Sequence, residues 1–250
     1  MSAFRKLGGK RFAVLAANGF EQVELETAVA ALIENGAKVS LIALSPGRIR
    51  GMRMHQSADL VRVDQPISSA RASDYDGLFI PGGCACTDAL RQSAQARTFV
   101  QQCALASHPI ALMSQAPLVL VSAGLARNVA LTSWPGVRDD VVNAGATWLN
   151  RPVVRDANYL SGRGPQDLES FVASLVPFFA GESSITLSRY RAQSDPPQER
   201  PVELTTQSLR WLATPSMGTM LSLALLGAGV VAAHHTQHKS PDDSEDAPGR

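Results

Sequence analysis

The chain has 250 residues, of which 45% are hydrophobic and 18% are charged. This composition is ordinary for a soluble globular protein, and the length is enough for one sizeable α/β domain with residues to spare. The formal net charge of +1 gives no indication of nucleic-acid binding. The three cysteines, Cys84, Cys86 and Cys103, follow neither a zinc spacing nor a disulfide framework, which indicates a reducing, cytoplasmic compartment.

The first 45 residues follow a β-α-β pattern. Residues 1–10 form a basic N-terminal arm without the apolar core of a signal peptide. Arg11–Ala16 is predicted to be a buried strand, Glu21–Glu34 an amphipathic helix and Lys38–Leu44 a second strand. This order predicts a parallel sheet covered by helices.

The middle of the chain continues the alternation. Residues 45–65 contain several breakers and are expected to hold a small hairpin. Gly77–Ile80 is predicted to be a buried strand that ends in Pro81-Gly82-Gly83, and Thr87–Ser107 is predicted to be a helix.

Residues 109–124 hold the most informative pattern. Ile110–Met113 is a short apolar run suited to a strand buried on both faces. Ser114 follows at once, Pro117 suits the first turn of a helix, and Gly124 suits its C-terminal cap. A strand that turns sharply into a helix is the geometry of a nucleophile elbow, and Ser114 occupies its tip.

The rest of the chain divides by composition. A short helix, two short strands and a closing helix complete one α/β domain over residues 11–181. Residues 182–216 have the composition of a linker, residues 217–233 carry no charge, and residues 234–250 form a polar tail predicted to be disordered.

The strand ends predict a common site. If the two central strands are neighbours, the amides of Gly82 and Gly83 face the Ser114 side chain, where they can bind an oxyanion. Glu21 and Glu24 follow the first strand, so one of these carboxylates reaches the same crevice. The alternative interpretation of the glycine pair is a tight turn with no role in a site.

Four segments resemble the ThiJ/PfpI family, and in particular its PfpI endopeptidase-like branch. That family is similar in fold to class I glutamine amidotransferases, so the resemblance implies a flavodoxin-like parallel sheet sandwiched by helices. The segments are G-F-E-Q-V-E-L (19–25), Y-D-G-L-F-I-P-G-G (75–83), L-T-S-W-P-G-V-R-D-D-V-V-N-A-G-A-T-W (131–148) and S-G-R-G-P-Q-D-L (161–168).

The resemblance assigns roles at the elbow. Family members carry A-I-C-H-G-P where this chain has L-M-S-Q-A-P, so Ser114 stands at the position of the cysteine nucleophile and Gln115 at that of the histidine. The resemblance implies that Glu24 is the glutamate bonded to the nucleophile. It also implies that Gly82 and Gly83 form the oxyanion side of the site.

The departures from the family motif predict a loss of thiol chemistry. A serine hydroxyl needs a general base, and Gln115 cannot accept a proton. Among the histidines, only His55 in the hairpin is placed where it could approach the site. The chain is therefore interpreted as a catalytically degenerate member that acts in ligand or partner binding or in stress response, with no cofactor or metal. The alternative is an active peptidase or glyoxalase/deglycase-like enzyme that uses Ser114 or a loop cysteine, Cys84 or Cys86.

Two further expectations concern partners. The resemblance implies a homo-oligomer, in which Asp74 matches an acidic residue that completes the triad across a subunit interface. Residues 217–233 predict a C-terminal membrane anchor, because they are apolar and lie outside a finished domain. The domain would then face the cytoplasm, and the alternative is an apolar helix docked on the domain surface.

Overall fold

A computed structural model describes residues 6–182 and 193–199. The strands are β1 (Arg11–Leu15), β2 (Phe20–Glu21), β3 (Lys38–Ala43), β4 (Arg48–Arg53), β5 (Gln56–Arg62), β6 (Gln65–Pro66), β7 (Gly77–Ile80), β8 (Ile110–Met113), β9 (Ala130–Leu131), β10 (Thr147–Trp148), β11 (Val153–Asp156) and β12 (Tyr159–Gly162). The helices are α1 (Gln22–Glu34), α2 (Cys84–Gln92), α3 (Ala94–Leu105), α4 (Pro117–Ser122), α5 (Arg138–Asn143) and α6 (Leu168–Phe179).

A seven-stranded sheet forms the centre of the fold. Its order is β11-β12-β8-β7-β1-β3-β6, and every neighbouring pair is parallel except β11 with β12. Every residue of β7 and β8 is buried. Strands of a parallel sheet are covered by helices on both faces, which explains why these two segments are continuous apolar runs.

The order in which strands are added to the sheet reverses between β1 and β7. From β1 the chain adds β3 on the side of one edge strand, whereas β7, β8 and β12 are added in turn on the other side of β1. Right-handed crossovers therefore put α1 and α3 on opposite faces; α1 packs on α6, and α3 packs on α2 and α4. The predicted α/β class with a mostly parallel, helix-flanked sheet is confirmed. Such a reversal opens a crevice at the carboxyl ends of the strands.

The helix predicted over residues 87–107 is instead two helices, α2 and α3. Ser93 between them is extended (φ −73°, ψ 117°), and its Oγ accepts a hydrogen bond from the N–H of Ala96 at 3.2 Å. The serine thus caps α3 and stops α2. Cys84 and Cys86 consequently lie in the first turn of α2 and not in a loop.

Two small sheets flank the central one. The hairpin expected within residues 45–65 is β4–β5, which joins β2 in a three-stranded sheet. Strands β9 and β10 form a parallel pair. Residues 193–199, within the predicted linker, are hydrogen-bonded to β10.

The C-terminal predictions fall largely outside the described residues. The apolar run 217–233 and the tail 234–250 belong to the part of the chain that is not described. Within residues 6–182 and 193–199, no helix is long and apolar enough to cross a membrane.

Candidate active site

The elbow after β8 presents Ser114 with a constrained backbone. Its φ is +51°, a left-handed conformation that non-glycine residues rarely adopt and that nucleophile elbows use. The backbone is held on both sides: the Ser114 N–H donates to the carbonyl of Gly162 at 3.0 Å, and its carbonyl accepts from the N–H of Trp134 at 2.9 Å. The elbow that the sequence predicts is therefore built by contacts from two other segments.

Glu24 reaches the elbow from the first turn of α1 and is fully buried. Its Oε2 accepts a hydrogen bond from the Gly82 N–H at 2.7 Å. Its Oε1 is hydrogen-bonded to the Oγ of Ser114. Both oxygens of Glu24 therefore accept a hydrogen bond, one from the Gly82 amide and one from the Ser114 hydroxyl.

The pKa of Glu24 is raised from its ordinary value of 4.5 to about 8, chiefly because burial removes the carboxylate from water. The Ser114 hydrogen bond opposes this rise, the nearby Glu21 carboxyl adds to it, and the Gly82 hydrogen bond opposes it. At pH 7 most molecules therefore carry a neutral carboxylic acid beside the serine.

Both residues of the Gly82-Gly83 pair after β7 must be glycine, because their backbone packs directly against neighbouring segments. A Cβ at Gly82 would lie 2.5 Å from the Cβ of Ser114, and a Cβ at Gly83, whose φ is +105°, would lie 2.1 Å from the carbonyl oxygen of Gly19. The Gly83 N–H donates to the Oε1 of Gln115 at 2.9 Å. With Gly82 bonded to Glu24, both amides of the pair already have side-chain acceptors.

A second carboxyl group lies nearby. Glu21 is 8% exposed, and its Oε2 accepts a hydrogen bond from the N–H of Met54 at 3.0 Å. Burial is the largest influence on its pKa, which is raised from 4.5 to about 7, while the Met54 hydrogen bond and the charge of Arg53 oppose the rise. The site thus holds two carboxyl groups that titrate near neutrality.

These groups open into a cavity of about 560 Å³. Ser114, Gln115, Glu21 and Glu24 supply polar lining, and Cys84 at the start of α2 borders it. The apolar walls come from segments that the sequence analysis did not assign to the site. They are Met52, Met54, Trp134 and Pro165. Trp134 and Pro165 lie in motifs quoted for the family resemblance, which was the available signal.

Some predicted residues lie elsewhere. Asp74 precedes β7, so it lies at the amino ends of the parallel strands, whereas Ser114 lies at their carboxyl ends. The Asp74 carboxylate is 3.4 Å from the Nε of Arg71. Cys86 is buried, and burial raises the pKa of its thiol to about 12. His55 lines the cavity as expected. Within residues 6–182 and 193–199, no group of His, Cys, Asp and Glu is placed to hold a metal ion.

The reversal of strand order, the elbow after β8 and the glycine pair after β7 define a domain of the class I glutamine amidotransferase-like fold. The sequence profile of the DJ-1/PfpI family matches residues 10–177. The chain belongs to that family, as the resemblance of its motifs predicted.

Similar proteins and solved structures agree with this assignment. The chain is 33% identical to Deglycase PH1704 of Pyrococcus horikoshii, over 65% of this chain and 95% of that protein. It is 33% identical to the Bacillus subtilis Putative cysteine protease YraA, over 65% of this chain and 94% of that protein. The crystal structure of Drosophila melanogaster DJ-1beta superposes with a TM-score of 0.63 and 27% identity, covering 69% of this chain and 91% of that one.

Proposed function

We propose that this chain is a DJ-1/PfpI domain that binds a small molecule in the Ser114 cavity without the thiol chemistry of a cysteine-bearing elbow. One observation carries the proposal. The Gly82 and Gly83 amides, which an oxyanion would need, donate instead to the side chains of Glu24 and Gln115.

The occupied amides oppose catalysis through a tetrahedral intermediate. An oxyanion is stabilised by donors that are already aimed at it and unengaged. Here an incoming oxyanion would have to displace the Gln115 side-chain oxygen from the Gly83 amide. The displaced Gln115 side chain is half-buried and would then need a new hydrogen-bond partner. A ground-state ligand that bonds to Gln115 or Ser114 requires no such displacement.

The proton chemistry points in the same direction. Ser114 needs a base that accepts its proton, and the Gln115 side-chain amide is not a base. The group bonded to the Ser114 hydroxyl is Glu24, which is mostly protonated at pH 7 because its pKa is raised to about 8. A protonated carboxyl group cannot accept the proton of the hydroxyl.

The test compares three forms of the full-length protein at pH 7: wild type, Ser114→Ala and Ser114→Cys. Two of the relatives are named as a deglycase and a putative cysteine protease, so the substrates are methylglyoxal and a peptide mixture. We expect no turnover by wild type, Ser114→Ala or Ser114→Cys, because the Gly82 and Gly83 amides donate to Glu24 and Gln115 in all three forms. Wild-type turnover that disappears in Ser114→Ala would refute the proposal.

Binding is tested on the same protein by ligand-observed NMR with a library of small carbonyl and carboxyl compounds. Trp134→Ala removes an apolar wall of the cavity without touching the hydrogen bonds of Glu24 or Gln115. We expect compounds that bind wild type to lose affinity in this variant. A library in which no compound binds to wild type in a way that Trp134→Ala weakens counts against a ligand site.

A second candidate function, a serine hydrolase active at alkaline pH, is favoured by two observations. The pKa of Glu24, about 8, makes its ionised form a stronger base than an ordinary carboxylate. The backbone N–H of Gln115 donates to no acceptor within residues 6–182 and 193–199, and the amide that follows a nucleophile is a usual oxyanion donor.

This alternative predicts a distinct pH profile. Hydrolysis would rise with pH through about 8, where Glu24 is half ionised, and would level off above that value. It would be lost in both Ser114→Ala and Glu24→Gln. An activity that survives either substitution does not come from this pair.

A further inference from the structure

Strand β10 has hydrogen-bonding partners on both sides. On one side it pairs with β9: the N–H of Thr147 donates to the Val129 carbonyl at 3.0 Å, and the N–H of Leu149 donates to the Leu131 carbonyl at 2.8 Å. The main-chain groups of Trp148 between them point to the other side. Trp148 is fully buried, so its N–H and carbonyl require partners there.

Residues 193–199 supply those partners. The N–H of Trp148 donates to the Oγ of Ser194 at 3.0 Å, and its carbonyl accepts from the N–H of Asp195 at 2.8 Å. The Asp195 carboxylate accepts from the N–H of Asn150 at 2.7 Å. The main-chain carbonyl of Asp195 accepts two hydrogen bonds from the Arg138 guanidinium, at 2.9 and 2.7 Å.

Trp148 in turn contacts the wall of the cavity. Its indole Nε1–H donates to the Oγ of Ser133 at 2.9 Å, and both side chains are fully buried. The next residue, Trp134, lines the cavity and donates its N–H to the carbonyl of Ser114 at 2.9 Å. Hydrogen bonds therefore connect residues 193–199 to Trp148, Trp148 to Ser133, and Trp134, the residue after Ser133, to the elbow.

We propose that residues 193–199 form a clasp that holds β10 and thereby positions Trp134 against Ser114. Ser194 and Asp195 are its positioning residues. A sheet of two two-residue strands is marginal by itself, and the clasp adds a third extended segment to it. The clasp lies beyond residue 177, where the family match ends.

The clasp lies C-terminal to the residues that the family profile matches. Through Trp148 it supports the loop between β9 and α5 at Ser133, while the elbow holds the same loop at Trp134. Its influence on ligand binding rests on the proposed function. Its influence on residues 131–136 does not, because the hydrogen bonds exist whatever the cavity binds.

The test uses two loss variants of the full-length protein, each with a matched control. Ser194→Ala removes the acceptor of the Trp148 N–H, and Ser194→Thr restores a hydroxyl. Asp195→Pro removes the donor to the Trp148 carbonyl, and Gln198→Pro adds a proline at an exposed position of the same clasp. Hydrogen exchange, followed by mass spectrometry, measures the opening of residues 131–136.

Loss of one hydrogen bond to buried Trp148 should speed exchange in residues 131–136 about tenfold in Ser194→Ala. Asp195→Pro also removes the carboxylate that accepts from the Asn150 N–H, so its exchange should be at least as fast. Ser194→Thr and Gln198→Pro should exchange like wild type. Exchange in β8 should stay unchanged in all four variants, which separates a local effect from global unfolding. Unchanged exchange at residues 131–136 in both loss variants would overturn the clasp.

A second readout tests positioning of the elbow itself. The thiol introduced by Ser114→Cys is alkylated with iodoacetamide at pH 7 and quantified on its own peptide, with and without Ser194→Ala. We expect alkylation to become at least threefold faster when the clasp is broken, because the Trp134 wall loosens. An equal rate in both backgrounds would mean that the segment stabilises β10 alone, and would overturn its positioning role even if the binding proposal holds.

Discussion

Replacing Glu24 with glutamine should abolish the pH dependence of stability that this buried carboxyl group creates. The pKa of Glu24 is raised from 4.5 to about 8 in the folded protein. Between these two values the folded state holds a proton that the unfolded chain has lost. The Glu24 contribution to stability is therefore full below about pH 4.5 and is lost as the pH rises to about 8.

The magnitude follows from the shift. Within this window the free energy of unfolding falls by about 1.4 kcal/mol for each pH unit. The side chain of Glu24→Gln mimics the protonated acid, because its oxygen accepts from the Gly82 N–H and its amino group donates to Ser114. The stability of wild type relative to the variant should fall by about 2.5 kcal/mol between pH 5 and pH 7.

Urea unfolding of both proteins at half-unit pH intervals from 5 to 9 measures this difference. The Glu21→Gln variant is the matched control, because the pKa of Glu21 is raised to about 7. Its difference curve should therefore level off about one pH unit earlier. Parallel curves for wild type and Glu24→Gln would refute the reasoning, since they would mean that Glu24 ionises alike in the folded and unfolded states.

Three further outcomes are expected. Gly83→Ala should destabilise the fold by more than about 3 kcal/mol in urea unfolding, because its Cβ would lie 2.1 Å from the Gly19 carbonyl oxygen; a loss below 1 kcal/mol would contradict this. A thiol reagent should label Cys84 in the native protein but reach Cys86 and Cys103 only after unfolding, since burial raises the pKa of both to about 12; fast labelling of either buried thiol would be inconsistent with the packing. Light scattering should show a homo-oligomer, as the family resemblance implies, and a monomer at all concentrations would count against it.

Local patterns were enough to predict most of the central fold. The apolar runs of β1, β7 and β8 are continuous because helices cover both faces, so each is recognisable without knowledge of its neighbours. Pro117 after Ser114 likewise marks a sharp strand-to-helix turn from adjacent residues alone. The break at Ser93 was missed because a single serine within a helix-compatible stretch is a weak signal, although serine is a favoured helix cap.

The predicted site was partly local and partly not. Ser114, Glu24 and the two glycines each follow the carboxyl end of a strand. Parallel strands place their carboxyl ends on the same side of the sheet, so the chain order alone predicts that these residues lie close together. The acid Asp74 stands before its strand, which puts it at the other edge of the sheet. Trp134 could not be placed on the cavity wall from its own sequence neighbours.

The sequence by itself determined which residues follow each strand, and with them the identity of the family and the absence of cysteine and histidine at the elbow. The tertiary structure decided the chemical state of those residues. The Gly83 amide is engaged because Gln115 reaches it across 32 positions of sequence, and the pKa of Glu24 is raised because its surroundings exclude water. Residues 193–199 pack on the domain because they supply hydrogen-bond partners to the Trp148 N–H and carbonyl, on the side of β10 that does not face β9. Burial and hydrogen-bond pairing are properties of groups that the fold brings together from distant parts of the chain, so no local pattern could contain them.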